Sequence, residues 1–169
     1  MFRRSALPIF AFLAVFLPNC AEPVQQTGDV WAGWELKLAK DDPDVVFPPI
    51  DQVNLVFALV VAEVERLYGP QFDEIANSAS SVTFTSKVFM CGDIRAVGCT
   101  SGSAMTVLWD PLRDCLLLSS LAHEIIHVAQ RVVDQVVDGE HADPTWWGVG
   151  GIEGRVYERL KMLKPAFCS

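Results

Sequence analysis

At 169 residues the chain fits one domain with a single core and leaves no room for a second full one. Hydrophobic residues make up 51% and charged ones 20%, a globular composition that excludes a disordered chain. The formal net charge of −8 comes with no basic stripe to neutralise phosphates, which argues against a nucleic-acid partner.

The N-terminus reads as an export signal. Arg3 and Arg4 precede an apolar run from Ala6 to Pro18, the pattern of a short basic region before roughly 7–15 apolar residues, too short for a transmembrane helix. The signal is taken as residues 1–19. Leu17-Pro18-Asn19-Cys20 places a leucine three before a cysteine, which resembles a bacterial lipobox and marks Cys20 for lipidation. An ordinary cleaved signal is the alternative, because Pro18 and Asn19 stand where small residues are usual. The chain is thus expected in the cell envelope, as a membrane-anchored lipoprotein or else periplasmic or secreted. Its contact with the membrane would be through that lipid alone. Residues 20–44, with Pro23, Gly28, Gly33 and Pro43, read as a tether and an irregular or short-strand lead-in, and 45–169 as the folded domain.

After Pro48-Pro49, the stretch Ile50–Gly69 predicts a helix with Asp51 as N-cap and Gly69-Pro70 as its stop. Its middle, LVFALVVA, is apolar nearly all round, so it is expected buried on at least two faces; Val53–Ala62 is too short to span a membrane. Ser81–Met90 and Ala104–Trp109 read as strands, paired as an antiparallel hairpin around the loop CGDIRAVGC. A second helix begins between Leu112 and Leu121 and runs to about Val137, with Gly139 as its C-terminal signal. The loop GEHADPTWWGVGG then leads to a last helix, Ile152–Leu163, ended by Pro165. The order of elements assigns the chain to α+β, with a small antiparallel or mixed sheet against the helices.

Five cysteines is an odd number, and Cys20 under lipid leaves four. Cys91 and Cys99 flank a Gly-containing excursion and are the expected pair; Cys115 with Cys168 would tie the C-terminus to the segment before the second helix. Two disulfides suit an oxidising envelope, and no C-x-x-C pair points to zinc thiolates.

The chemistry concentrates in LAHEIIHVAQ, Leu121–Gln130. Residues four apart share a helix face, so His123 and His127 can aim their imidazoles at one point. Zinc accepts neutral imidazole nitrogen at about 2.0–2.1 Å, and catalytic sites generally keep three protein ligands and an open position for water. Glu124 projects beside such an ion, where it can take a proton from the water and deliver it to a leaving amine. Around these residues the helix is apolar, from Leu121 to Val136 and Val137, and two unpaired buried histidines would be costly without a metal. The bland alternative is a pair of histidines hydrogen-bonded on a partly exposed face.

Three residues compete for the third ligand. His141 lies fourteen residues after His127, in the loop past the helix; Glu153 opens the last helix; Cys99 lies upstream but is better used in a disulfide. Gln130 stands where the metzincin spacing would need a glycine. His141 is the preferred ligand and Glu153 the alternative.

The segment L-A-H-E-I-I-H-V-A-Q resembles the active-site helix of minimal zincin metallopeptidases. The downstream D-G-E-H-A-D-P-T-W-W, Asp138–Trp147, resembles the stretch in small exported and SprT-like zincins where a third histidine precedes an aromatic. The resemblance covers Leu121–Trp147 and implies a zincin-like fold: a small sheet against the histidine helix, a buried backing helix and a C-terminal helix. It implies His123, His127 and His141 on one zinc ion, Glu124 as base, and Trp146 or Trp147 under the metal loop. It also makes Ala104–Trp109 a candidate edge for an extended peptide. Peptide deformylases combine H-E-x-x-H with an upstream cysteine, but their glycine-rich motif is missing here. The expected function is zinc-dependent hydrolysis of an amide bond in a peptide or protein substrate, with Tyr157 or Arg155 as candidate oxyanion donors. The alternative is a non-catalytic envelope lipoprotein that keeps the fold for binding or assembly.

Overall fold

The computed structural model describes residues 26–31, 34–41, 43–109, 118–136 and 138–167. The signal, Cys20, Cys115 and Cys168 lie outside the described residues.

The fold is α+β. Strands β1 (Gln26–Trp31), β2 (Trp34–Lys40), β3 (Ser81–Thr85), β6 (Gly98–Ser101) and β7 (Ala104–Leu108) form one mixed sheet, while β4 (Phe89–Cys91) and β5 (Ile94–Ala96) form a separate antiparallel pair. The larger sheet is ordered β1-β2-β3-β7-β6; its two outer pairings are antiparallel and the two inner ones parallel. Helices α1 (Ile50–Tyr68) and α2 (Phe72–Ser78) make the crossover between β2 and β3. Helix α3 (Leu118–Asp134) follows the sheet, and α4 (Ile152–Phe167) closes the described chain.

Helix α1 buries Val53, Val56, Phe57, Val60, Val61 and Val64, a stripe at i, i+3, i+4, i+7, i+8 and i+11. It packs on α3 and α4, so its β-branched residues are held by burial rather than by helix propensity. Asp51 sits in the first turn and not at the N-cap, which is Pro49 with no side-chain cap. The stop is as expected: Gly69, at φ 79°, donates its N–H to the Glu65 carbonyl. On this helix Glu63 is 2% exposed and receives Arg66 at 3.0 Å, Arg155 at 2.9 Å and Arg159 at 2.8 Å. Burial raises its carboxyl, but those three cations outweigh burial and hold it below the usual range. The cluster clamps α4 to α1.

The expected antiparallel hairpin of Ser81–Met90 with Ala104–Trp109 is not what forms. β3 stops at Thr85, whose hydroxyl accepts the Lys87 N–H at 3.2 Å and turns the chain out of the sheet. β7 takes its hairpin partner from inside the cysteine excursion: β6 returns through Gly102, at φ 59°, leaving β3 and β7 parallel with Ser81 opposite Ala104. β7 is therefore an inner strand, and among the described residues β6 is one edge of the sheet and β1 the other. A loop reading of Cys91–Cys99 could not anticipate this, because strands of three or four residues carry too little alternation to register.

Helix α3 ends at Asp134 rather than near Val137, and its terminator is Gln135, at φ 57°, in place of Gly139. Asp134 is held by the Trp146 indole N–H at 2.5 Å, and Val136, expected in the core, is 55% exposed. Helix α4 runs through Pro165 to Phe167. A proline in the final turn removes a single helical bond, so it does not force a stop there. Among the described residues no helix is long and apolar enough to cross a membrane.

Candidate metal centre

Helix α3 turns Leu121, Ala122, Ile125, Ile126, Val128 and Ala129 into the core, all at 0% exposure, which fixes the helix's rotation. His123 and His127 are thereby left on the opposite, half-buried face. His141 arrives from the following loop in the left-handed region, φ 55°. That loop is built by two aspartates: Asp138 accepts the Glu140 and Asp143 N–H groups at 3.2 and 2.9 Å, and Asp143 accepts the Thr145 N–H at 2.8 Å. Backbone bonds from Ile152 to Thr145 and from Glu153 to Trp146 then lock the loop onto the start of α4.

Three imidazoles converge. His127 Nε2 lies 3.2 Å from His123 Nε2 and 3.1 Å from His141 Nε2, and the three ligand atoms fall within 4.8 Å of one another. Two tetrahedral ligands at zinc–nitrogen distance would sit about 3.3 Å apart, close to both spacings. The Trp147 indole forms the floor, with ring centroids 5.0, 4.6 and 4.3 Å from His123, His127 and His141. Trp146, fully buried, instead stacks on Tyr68.

Glu153 does not join the cluster. Its Oε1 accepts the His123 Nδ1–H at 2.8 Å and its Oε2 the Gly148 N–H at 3.3 Å. Burial raises its carboxyl, but His123 and Gly148 outweigh burial and hold it below the usual range. An ionised Glu153 places the His123 proton on Nδ1, so Nε2 offers its lone pair to the centre. Burial also favours neutral His123 and His127: it lowers His123 despite Glu153, and together with the neighbouring imidazoles it lowers His127 to about 4.

Proton counting then fails without a cation. His127 Nε2 faces two nitrogens and can carry one proton, while its Nδ1 is buried with no hydrogen-bond partner. One ion receiving three lone pairs satisfies the three Nε2 atoms and places the His127 proton on Nδ1, which has no hydrogen-bond partner among the described residues. The three histidines lie close enough to hold a metal ion.

Glu124 is 3% exposed and accepts a hydrogen bond from the Thr100 hydroxyl at 2.6 Å, from the edge strand β6. Burial pushes its carboxyl up to about 7, against the opposing effect of Thr100. Gly98 leaves room beside it, because a Cβ there would meet the Glu124 carboxylate and force that side chain to move. Two cavities meet at this point. One, about 310 Å³, is lined by Glu124, the three histidines and the Cys91–Cys99 disulfide. The other, about 350 Å³, is lined by Glu124, His123, Gly98, Arg95, Ser120 and Tyr157.

Of the residues weighed as third ligand, His141 lies in the cluster, and Glu153 hydrogen-bonds His123 on the ring nitrogen facing away from it. Cys99 is bonded to Cys91, Cα–Cα 5.8 Å, and is not a ligand. Arg155 reaches Glu63 and the Gly150 carbonyl, and of the two candidate donors only Tyr157 lines a cavity at the site, where its hydroxyl donates to the Ser119 carbonyl at 3.4 Å. Sequence reasoning does not reach Thr100 and Gly98. Nothing in GCTSG marks them, since their role depends on β6 lying against α3.

No protein-family model matches the sequence, and no curated protein or solved structure matches the chain.

Proposed function

We propose that this chain is a zinc-dependent metallopeptidase of zincin-like fold, exported to the cell envelope and acting on a peptide or protein substrate. The observation that carries the reading is the convergence of three imidazole nitrogens at a cavity that Glu124 also lines. Three imidazole nitrogens with no carboxylate among them suit zinc better than a hard, oxygen-seeking cation. His123, His127 and His141 would hold the ion; when bound, it would supply Lewis-acid activation of a water and of the amide carbonyl.

The chain's own residues account for the remaining steps. Glu153 fixes the tautomer and orientation of His123, and Trp147 limits the tilt of all three rings. Burial raises Glu124 to about 7 in the metal-free site, and a bound cation beside it would draw it back toward the ionised form. Ionised, it takes the proton of the attacking water; protonated, it returns that proton to the leaving amine. Tyr157, whose phenol burial holds protonated, would have to turn its hydroxyl from the Ser119 carbonyl to offer a donor to the oxygen on which charge develops.

Elemental analysis of the purified protein and its variants, paired with hydrolysis of a denatured protein substrate, tests the reading. The wild type is expected to hold about one zinc per chain and to cleave. His141→Ala is expected to lose the metal, and Glu153→Ala to weaken its binding by about 10–100-fold. Glu124→Gln should keep zinc and lose hydrolysis. A wild type that takes up no zinc would sink the reading. Zinc retained without hydrolysis of any peptide would leave the non-catalytic envelope protein.

A further inference from the structure

Among the described residues, Arg131 is the charged side chain lining the histidine cavity that this mechanism leaves unused. It lies eight residues after His123 and four after His127, so it continues the same helix face, its Cα about 6 Å beyond that of His127. It lines the cavity with the three histidines and Glu124, together with Ile94, Ala96 and the disulfide. It is half-buried, and no carboxylate or carbonyl among the described residues pairs with it. Its acidic neighbours are engaged elsewhere: Asp134 with the Trp146 indole, Asp138 with the Glu140 and Asp143 amides. By contrast Arg66, Arg155 and Arg159 all converge on Glu63.

A half-buried guanidinium without an anion is costly, and its planar fork matches a carboxylate. The chain carries a net charge of −8, so an anionic ligand approaches against the overall field and needs a local cation to be admitted. We propose that Arg131 is a specificity-determining residue that binds a substrate carboxylate in this cavity, beside an apolar side chain resting against Ile94, Ala96 and the disulfide. This rests on the reading of the cavity as a peptide cleft. The carboxylate belongs either to the substrate's C-terminus or to an acidic side chain close to the cleaved bond.

Binding is measured by calorimetry at low ionic strength, on metal-free and zinc-loaded protein, with three acetylated tripeptides. The first is acetyl-Ala-Leu-Ala with a free C-terminus, the second its C-terminal amide, the third acetyl-Ala-Leu-Glu amide. One carboxylate-bearing peptide is expected to bind about tenfold tighter than the uncharged amide, the factor for one charge-assisted hydrogen bond. A preference for the first assigns the C-terminal carboxylate, and for the third the side chain. Arg131→Gln should abolish the preference at unchanged zinc content, and Arg131→Lys should keep part of it. Should Arg131→Gln fail to fold, loss of the wild-type preference at high salt and its partial retention in Arg131→Lys carry the test. The metal-free arm separates Arg131 from direct carboxylate binding to zinc. Equal binding of all three peptides, no binding, or a preference that survives Arg131→Gln overturns the proposal. A preference without any hydrolysis leaves Arg131's role standing and removes the peptidase reading; hydrolysis without preference does the reverse.

Discussion

Replacing Glu124 by glutamine should stabilise the metal-free protein at alkaline pH, because the proposed base is held where its charge is unwelcome. Glu124 is 3% exposed, and burial raises its carboxyl from an ordinary 4.5 to about 7. A carboxyl with a raised folded-state value stabilises the fold fully below 4.5, and that stabilisation is lost as pH rises through about 7. At ~1.36 kcal/mol per pKa unit, the metal-free fold loses about 3 kcal/mol over that window. Glutamine keeps the side chain's size and can still accept the Thr100 hydroxyl, but never ionises. The variant and wild type should therefore match below about pH 4.5 and diverge to about 3 kcal/mol in the variant's favour at about pH 8. His127, lowered to about 4, imposes the opposite penalty as pH falls below 6.5, but it is present in both proteins and cancels. Urea unfolding of the metal-free, disulfide-intact proteins across this range, followed by tryptophan fluorescence, reads the difference. Two stability curves that stay parallel within about 0.5 kcal/mol would refute the argument that burial governs Glu124.

Two further outcomes follow from neighbouring contacts. Thr100→Val removes a hydrogen bond to the carboxylate worth about 1.5–3 kcal/mol, which should raise Glu124 by about 1–2 pKa units. The acid limb of kcat/KM against pH should move up by that interval at unchanged zinc content; a stationary limb would remove Thr100 from the mechanism. Glu63→Ala leaves three arginines without their carboxylate, but their side chains are 30–48% exposed and can rehydrate, so the loss should be about 2 kcal/mol rather than the ~3–5 of a fully buried pair. Thermal unfolding measures it, and a change under about 0.5 kcal/mol would show that the cluster does not clamp α4 to α1.

The legible parts of this sequence are those whose signal is local. The apolar stripe of α1, the Gly69 stop and the His123–Glu124–His127 spacing all follow from a 3.6-residue period and from backbone permissiveness, and they hold in the structure. The Cys91–Cys99 bond is also readable, because two cysteines eight apart around a glycine have few other partners. The parallel pairing of β3 with β7 is not, since strand direction depends on which neighbour each edge finds.

The sequence by itself determined that α3 would present two histidines and a glutamate on adjacent positions of one helix. It favoured His141 over Glu153 without deciding between them, because both lie beyond a loop whose path depends on hydrogen bonds made by Asp138, Asp143 and Asp134. Only the tertiary structure decided that His141 enters the cluster while Glu153 approaches His123 from the other ring nitrogen. It alone brought Thr100 and Gly98 to Glu124 and left Arg131, in the same cavity, without a carboxylate partner among the described residues. The physical reason is one of range. Helical spacing acts over a single turn of chain, whereas a metal centre, its base and its cleft are assembled from segments that meet only when a common core is buried.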